Sequence, residues 1–133
     1  LTATHDFTNT TGDSFKLALF RAQASISGSF GAATTNYSDM GADEASGTNY
    51  TAGGNALTNV TPTSSGTTAY TDFADLVFST VTITTSGCLI YNDTKSDKAV
   101  AVFNFGGDKT ATAGDLTIIF PTADASNAII RLV

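Results

Sequence analysis

Gly106-Gly107-Asp108-Lys109-Thr110 is the stretch whose residue types come nearest to phosphate chemistry. A phosphate-binding loop needs Gly-x-x-x-x-Gly-Lys-Ser/Thr between a strand and a helix, so that backbone amides and the lysine hold the anion. Asp108 stands where the last glycine should be and sets a carboxylate against the phosphates. An alternating strand follows Gly114, so no helix start completes the cradle. Gly106–Gly114 is expected to be a strand-to-strand connection, with no nucleotide and no cofactor.

The other reactive residue types are equally sparse. His5 is the single histidine and lies near a terminus, a poor place for a positioned imidazole, so an ordinary surface role is expected. Cys88 is the single cysteine and excludes an intrachain disulfide; in Gly87-Cys88-Leu89-Ile90-Tyr91 it reads as a small buried apolar residue. Acids cluster at Asp39, Asp43 and Glu44, at Asp72 and Asp75, and at Asp93 and Asp97. Loop carboxylates can bind calcium, but none of these has the spacing of a helix-flanked calcium loop. Solvated loop charge is the expectation, with no metal. No acid pair stands out for glycoside hydrolysis, and the absence of Trp removes a common sugar-stacking platform. No catalytic residue is assigned. Asn9, Asn36, Asn49, Asn59 and Asn92 begin Asn-x-Ser/Thr triplets, which a chain rich in Thr and Asn makes by chance.

The elements that must position these residues are strands. Charged residues are only 14% of the 133, so the polar surface comes from Thr, Ser, Asn and Gly. Thr with nine Phe and four Tyr suits strands, and no helical period is sustained. Phe15, Leu17 and Leu19 share one face of a first strand. A short strand is expected near Ala24–Ile26, with a helical turn near Ala32–Tyr37. Further strands are expected at Asp43–Ser46, Asn55–Val60, Thr68–Phe78, Thr80–Thr85, Gly87–Tyr91, Lys98–Phe105, Asp115–Phe120 and Ala128–Val133, with a polar hairpin loop at Asn92–Asp97. Eight or nine short strands with frequent turn signals predict an all-β fold, a single-domain β-sandwich or jelly roll over 1–133, with residues 1–12 as an extended arm. The net charge of −6 argues against nucleic acid, and no apolar run is long enough to span a membrane.

The order of segments carries a resemblance. His5-Asp6-Phe7-Thr8 precedes Asp13-Ser14-Phe15-Lys16-Leu17-Ala18-Leu19-Phe20. Glu44-Ala45-Ser46-Gly47-Thr48-Asn49-Tyr50-Thr51-Ala52-Gly53-Gly54-Asn55, Cys88-Leu89-Ile90-Tyr91-Asn92 and Lys98-Ala99-Val100-Ala101-Val102 follow. Phe105–Gly114, Phe120-Pro121 and Ile129-Ile130-Arg131 close the series. Over nearly its whole length the chain resembles small all-β virion structural proteins of tailed bacteriophages. It departs from them in lacking a helical lead-in before His5 and in a longer, more glycine-rich Ala22–Ser38.

That resemblance implies a virion component on the outer surface of the phage head, not an enzyme. The expected role is capsid decoration, or cement: a trimer or dimer of itself that bridges the major capsid protein by burying apolar surface at roughly 25 cal/mol per Å². The alternative is a tail-fibre or head-fibre module that binds a host receptor or glycan. The contact loops expected are Gly28–Asp39, Gly47–Gly54 and Gly106–Gly114. Phe30, Tyr37, Tyr50, Gly53, Gly54, Asp108 and Lys109 are the interface candidates.

Overall fold

The computed structural model describes residues 5–133, and they form two antiparallel sheets. The first contains β1 (Phe15–Phe20), β2 (Asn55–Ala56), β5 (Leu76–Asn92) and β6 (Lys98–Ile118), in the order β2-β1-β5-β6. The second contains β3 (Asn59–Ser65), β4 (Thr68–Phe73) and β7 (Ile130–Leu132), in the order β3-β4-β7. The fold is all-β, as its alternation and composition imply.

Strand length differs from expectation. Seven strands occur among the described residues, and two of them are long: β5 has 17 residues and β6 has 21. Thr80–Thr85 and Gly87–Tyr91 are parts of one strand. So are Lys98–Phe105, Gly106–Gly114 and Asp115–Ile118, which makes the glycine cluster a strand interior and not a connection. The register explains why. β5 and β6 pair from Leu76↔Ile118 to Asn92↔Lys98, with irregularities between Phe78 and Val81, Val81 and Ile83, Thr85 and Gly87, and Ile90 and Tyr91. These irregularities shift which side chains point inward. Between Gly87↔Asn104 and Thr85↔Lys109, β6 carries the surplus residues, and Gly106 and Gly107 absorb it with φ of 72° and 140°.

Two apolar clusters flank the first sheet. Between the sheets, Phe15, Leu17 and Leu19 pack with Phe73, Phe78, Val81, Ile83, Cys88 and Ile90. On the other face, Ala18, Phe20, Leu89 and Tyr91 pack with Met40, and Ile26, Phe30 and Tyr37 cover them. β1 is therefore buried on both faces, and the segment between β1 and β2 forms a third layer. Within that layer Gln23–Ser25 and Tyr37–Asp43 are 3-10 segments, so no strand forms at Ala24–Ile26 and the helical turn begins later than Ala32. Glu44 makes only an isolated bridge to Phe20. Asn92–Asp97 is a hairpin connection, as expected, closed by a third 3-10 turn at Asp93–Lys95 and by Ser96 and Asp97 at positive φ. Residues 5–12 are not extended: they fold back through Asp13 N–H to Asp6 O at 2.7 Å and bury Phe7. Residues 1–4 of the expected arm lie outside the described residues.

Candidate functional site

The acids that cluster in sequence act on backbone amides. Asp43 is nearly fully buried, and its two oxygens accept from Ser27 N–H at 2.9 Å and Gly28 N–H at 2.7 Å. Asp39 Oδ2 accepts from Thr35 N–H at 2.8 Å and Asn36 N–H at 3.1 Å. Those amides hold Asp43 and Asp39 below the usual carboxylate range. Asp108 accepts from Gln23 N–H, Asp75 from Phe120 N–H, and Asp115 from Thr80 N–H. Asp72 is fully buried and accepts from Phe73 and Ile129 N–H; burial pushes its carboxyl up in spite of both amides. Solvated loop charge thus fails as a description of Asp43 and Asp72.

Glu44 ties its own 3-10 segment to the loop of Tyr50 and Gly53. Its Oε1 accepts from Tyr50 OH at 2.8 Å and Gly53 N–H at 2.6 Å, and its Oε2 accepts from Tyr37 OH at 2.5 Å. Tyr50 Oη also accepts from Leu19 N–H at 2.9 Å, which ties the knot to β1. Tyr91 OH donates to Gly53 O at 2.7 Å, and its ring stacks on Tyr37 with centroids 4.7 Å apart. Burial and then Glu44 push the Tyr37 phenol up to about 12; burial also raises Tyr50 and Tyr91. Three donors on one carboxylate hold these segments together.

A second polar cluster joins the residues before β1 to the hairpin. Asn92 is fully buried: its Oδ1 accepts from Lys95 N–H at 3.0 Å, and its Nδ2 donates to Asp13 Oδ2 at 2.8 Å and to His5 Nδ1 at 2.9 Å. With Asn92 oriented by Lys95, His5 Nδ1 must be the acceptor and its proton sits on Nε2. His5 packs against Phe7 and Phe15 with centroids 6.0 and 6.1 Å away, and burial lowers its pKa. It is not an ordinary surface residue. Nothing local in the sequence signals this, because Asn92 lies 87 residues from His5.

The interface candidates are placed as follows. Phe30 is half-buried against Phe20 with centroids 4.6 Å apart, and Tyr37 and Tyr50 belong to the Glu44 knot. Gly53 and Gly54 have φ of 95° and 72°, and a Cβ on Gly54 would collide with the Leu17 carbonyl oxygen. These five shape their own domain. Asp108 is exposed but bound to Gln23, and Lys109 is exposed on β6 opposite Thr85. Tyr37, Tyr50 and Gly53 thus meet at Glu44, whereas Phe30 lies against Phe20 and Lys109 on β6.

Two of the concave surfaces among the described residues have linings of opposite character. A polar groove of about 350 Å³ is lined by Arg21, Ser25, Ser46, Thr82, Thr84 and Thr110. An apolar cleft of about 350 Å³ opens between β6 and the residues that follow it, lined by Phe103, Phe105, Ile118, Ile119, Phe120 and Ile129, with Cys88 on its wall. Burial pushes the Cys88 thiol up to about 12, so it is a packing group there and not a nucleophile.

No family model, curated protein or solved structure matches this chain. Among the described residues, no group of three or more His, Cys, Asp or Glu side chains is arranged to hold a metal ion. The carboxylates named above face amides and hydroxyls of their own chain.

Proposed function

We propose that this chain is a structural protein of a phage virion, a capsid decoration protein that stabilises the head by bridging capsid subunits. The observation that carries this reading is the outer side of β6. That 21-residue strand ends its sheet, and beyond the bridge from Lys98 to Asn36 it has no strand partner on that side among the described residues. The apolar cleft opens beside it. Uncovered apolar surface at the end of this edge strand suits adhesion to another protein, and repetition across a particle makes modest contacts sufficient. The loops are fixed by acid-to-amide bonds without a disulfide, so little ordering entropy is lost on docking.

The test is copy number. Quantitative electrophoresis of purified virions of the encoding phage should give hundreds of copies per particle, removable without loss of the capsid shell. A few to tens of copies would point to a fibre module, and absence from the particle would overturn the virion reading.

The polar groove favours the fibre alternative as a second reading. Its serine and threonine hydroxyls can exchange hydrogen bonds with a saccharide. The Arg21 guanidinium there donates only one long bond, at 3.5 Å to Ser25 O, among the described residues. Glycan-array binding that is lost in Arg21→Ala would support that reading over decoration.

A further inference from the structure

The polar groove beside the end of β1 has one charged side chain in its lining, Arg21, and no Phe or Tyr. It is rich in unspent donors. The Arg21 guanidinium gives only its long bond to Ser25 O, and neither of the ion pairs among the described residues involves it. Thr82 Oγ1 accepts from Ala113 N–H at 3.0 Å, which leaves its own hydrogen free to donate. Thr84 and Thr110 share one hydroxyl bond at 2.9 Å, so one of their two hydrogens is free as well. We propose that this groove takes an acidic saccharide, with a uronic-type carboxylate paired to Arg21 and the sugar hydroxyls on the threonines.

This inference rests on the saccharide reading of the groove and adds the charge of the ligand. Without an aromatic ring in the lining, a neutral sugar only exchanges hydrogen bonds to water for hydrogen bonds to the wall, which gains little. A carboxylate gains more, because a guanidinium offers it two parallel charge-assisted bonds in one plane. The acids on neighbouring turns do not fill that role. Asp43 attracts Arg21 through space, but its two oxygens are engaged by Ser27 and Gly28 N–H and it forms no ion pair with Arg21. Asp108 accepts from Gln23 N–H. The net charge of −6 repels an acid at long range, but beyond about 8 Å that repulsion is screened at physiological salt. One ion pair in an open groove binds weakly, so useful affinity comes from several chains on one polysaccharide.

Amide NMR of the full chain tests it, by titration at neutral pH with uronic-acid trisaccharides (galacturonate, glucuronate and mannuronate) and with their methyl esters. The esters keep the hydroxyls and remove the charge. The amides of Ser25, Ser46, Thr82, Thr84 and Thr110 should shift with an acid form, and its ester should bind about tenfold more weakly or worse. Arg21→Gln should lose that preference with an unchanged thermal melt, because the backbone bonds of residue 21 to Asp43 and Ser86 remain. Lys98→Gln, an equal loss of charge at the start of β6, should bind like the parent. Equal binding of acid and ester in the groove would overturn the carboxylate pairing and leave the saccharide reading standing. Acetate that shifts the same amides at the same concentrations would overturn the saccharide ligand in favour of a bare anion site. Groove amides that respond to none of the trisaccharides would overturn this inference and the saccharide reading together.

Discussion

Replacing Tyr50 by phenylalanine removes one oxygen from the Glu44 knot and leaves the ring against Phe78. That oxygen donates to Glu44 Oε1 at 2.8 Å and accepts from Leu19 N–H at 2.9 Å. Leu19 has no exposed surface, so water cannot replace the acceptor. A buried donor left without a partner costs about 1–3 kcal/mol, and a lost bond to a charged group costs about 1.5–3 kcal/mol. Glu44 keeps Tyr37 OH and Gly53 N–H, which offsets part of the second cost. The sum is about 2–4 kcal/mol. Tyr37→Phe removes a donor from the same carboxylate at a half-exposed site, where water can replace it, and should cost about 0.5–1.5 kcal/mol. Urea unfolding should show the Tyr50 variant with a lower midpoint and an unchanged slope. For a chain of 133 residues that corresponds to roughly 8–15 °C in Tm. A double-mutant cycle with Glu44→Gln should return a coupling of about 1 kcal/mol or more. If Tyr50→Phe falls within about 0.5 kcal/mol of the parent, or matches Tyr37→Phe, the knot does not carry the stability assigned to it.

Gly54→Ala forces a Cβ into the Leu17 carbonyl at positive φ and should unfold the chain or cost more than about 3 kcal/mol by urea titration, whereas Gly31→Ala, which meets open space, should stay within about 0.5 kcal/mol. His5 should make stability fall between neutral and mildly acid pH. Its folded pKa lies below the usual 6.5, so its contribution is complete above that value and is lost as pH falls through the folded pKa. Asp13 acts against the shift and Lys98 with it; burial opposes Asp13's own ionisation, but the Asp6 amide and Asn92 hold its carboxyl low enough that it titrates below this window. The urea midpoint should fall further from pH 8 to pH 5 in the parent than in His5→Phe, because Asp72, whose carboxyl burial raises, acts in the opposite direction in both chains. Cys88 should react with a thiol reagent only as fast as the chain opens, and rapid stoichiometric labelling of the native protein would contradict its burial.

Much of the sheet was legible in the sequence. Phe15-x-Leu17-x-Leu19 and Val81-x-Ile83 alternate because one face of each is core, and Asn92–Asp97 joins two strands because its residues accept left-handed backbone. The continuity of β5 and β6 was not legible. Inward positions change from odd to even between Val81, Ile83 and Cys88, Ile90, and such a phase change reads as a strand end. Only the partner strand reveals a bulge. Gly106-Gly107 misleads for the same reason, since a turn and a bulge both ask for positive φ. The short strand expected at Ala24–Ile26 became part of the layer over Phe20 and Leu89, where packing overrode a weak local preference. The acids and aromatics of the candidate site were visible as residue types, but their roles depend on partners from other elements. Nothing near Glu44 announces Tyr37 and Tyr50 as its donors, and nothing near His5 announces Asn92.

Amide hydrogen exchange by NMR tests most directly whether carboxylates fix the loops. Ser27, Gly28, Thr35, Asn36, Gly53 and Phe120 lie outside the strands, yet each amide donates to Asp43, Asp39, Glu44 or Asp75. They should exchange far more slowly than exposed loop amides, and Asp43→Asn should release Ser27 and Gly28 selectively. Exchange of these six at free-peptide rates in the folded parent would contradict the fixed loops.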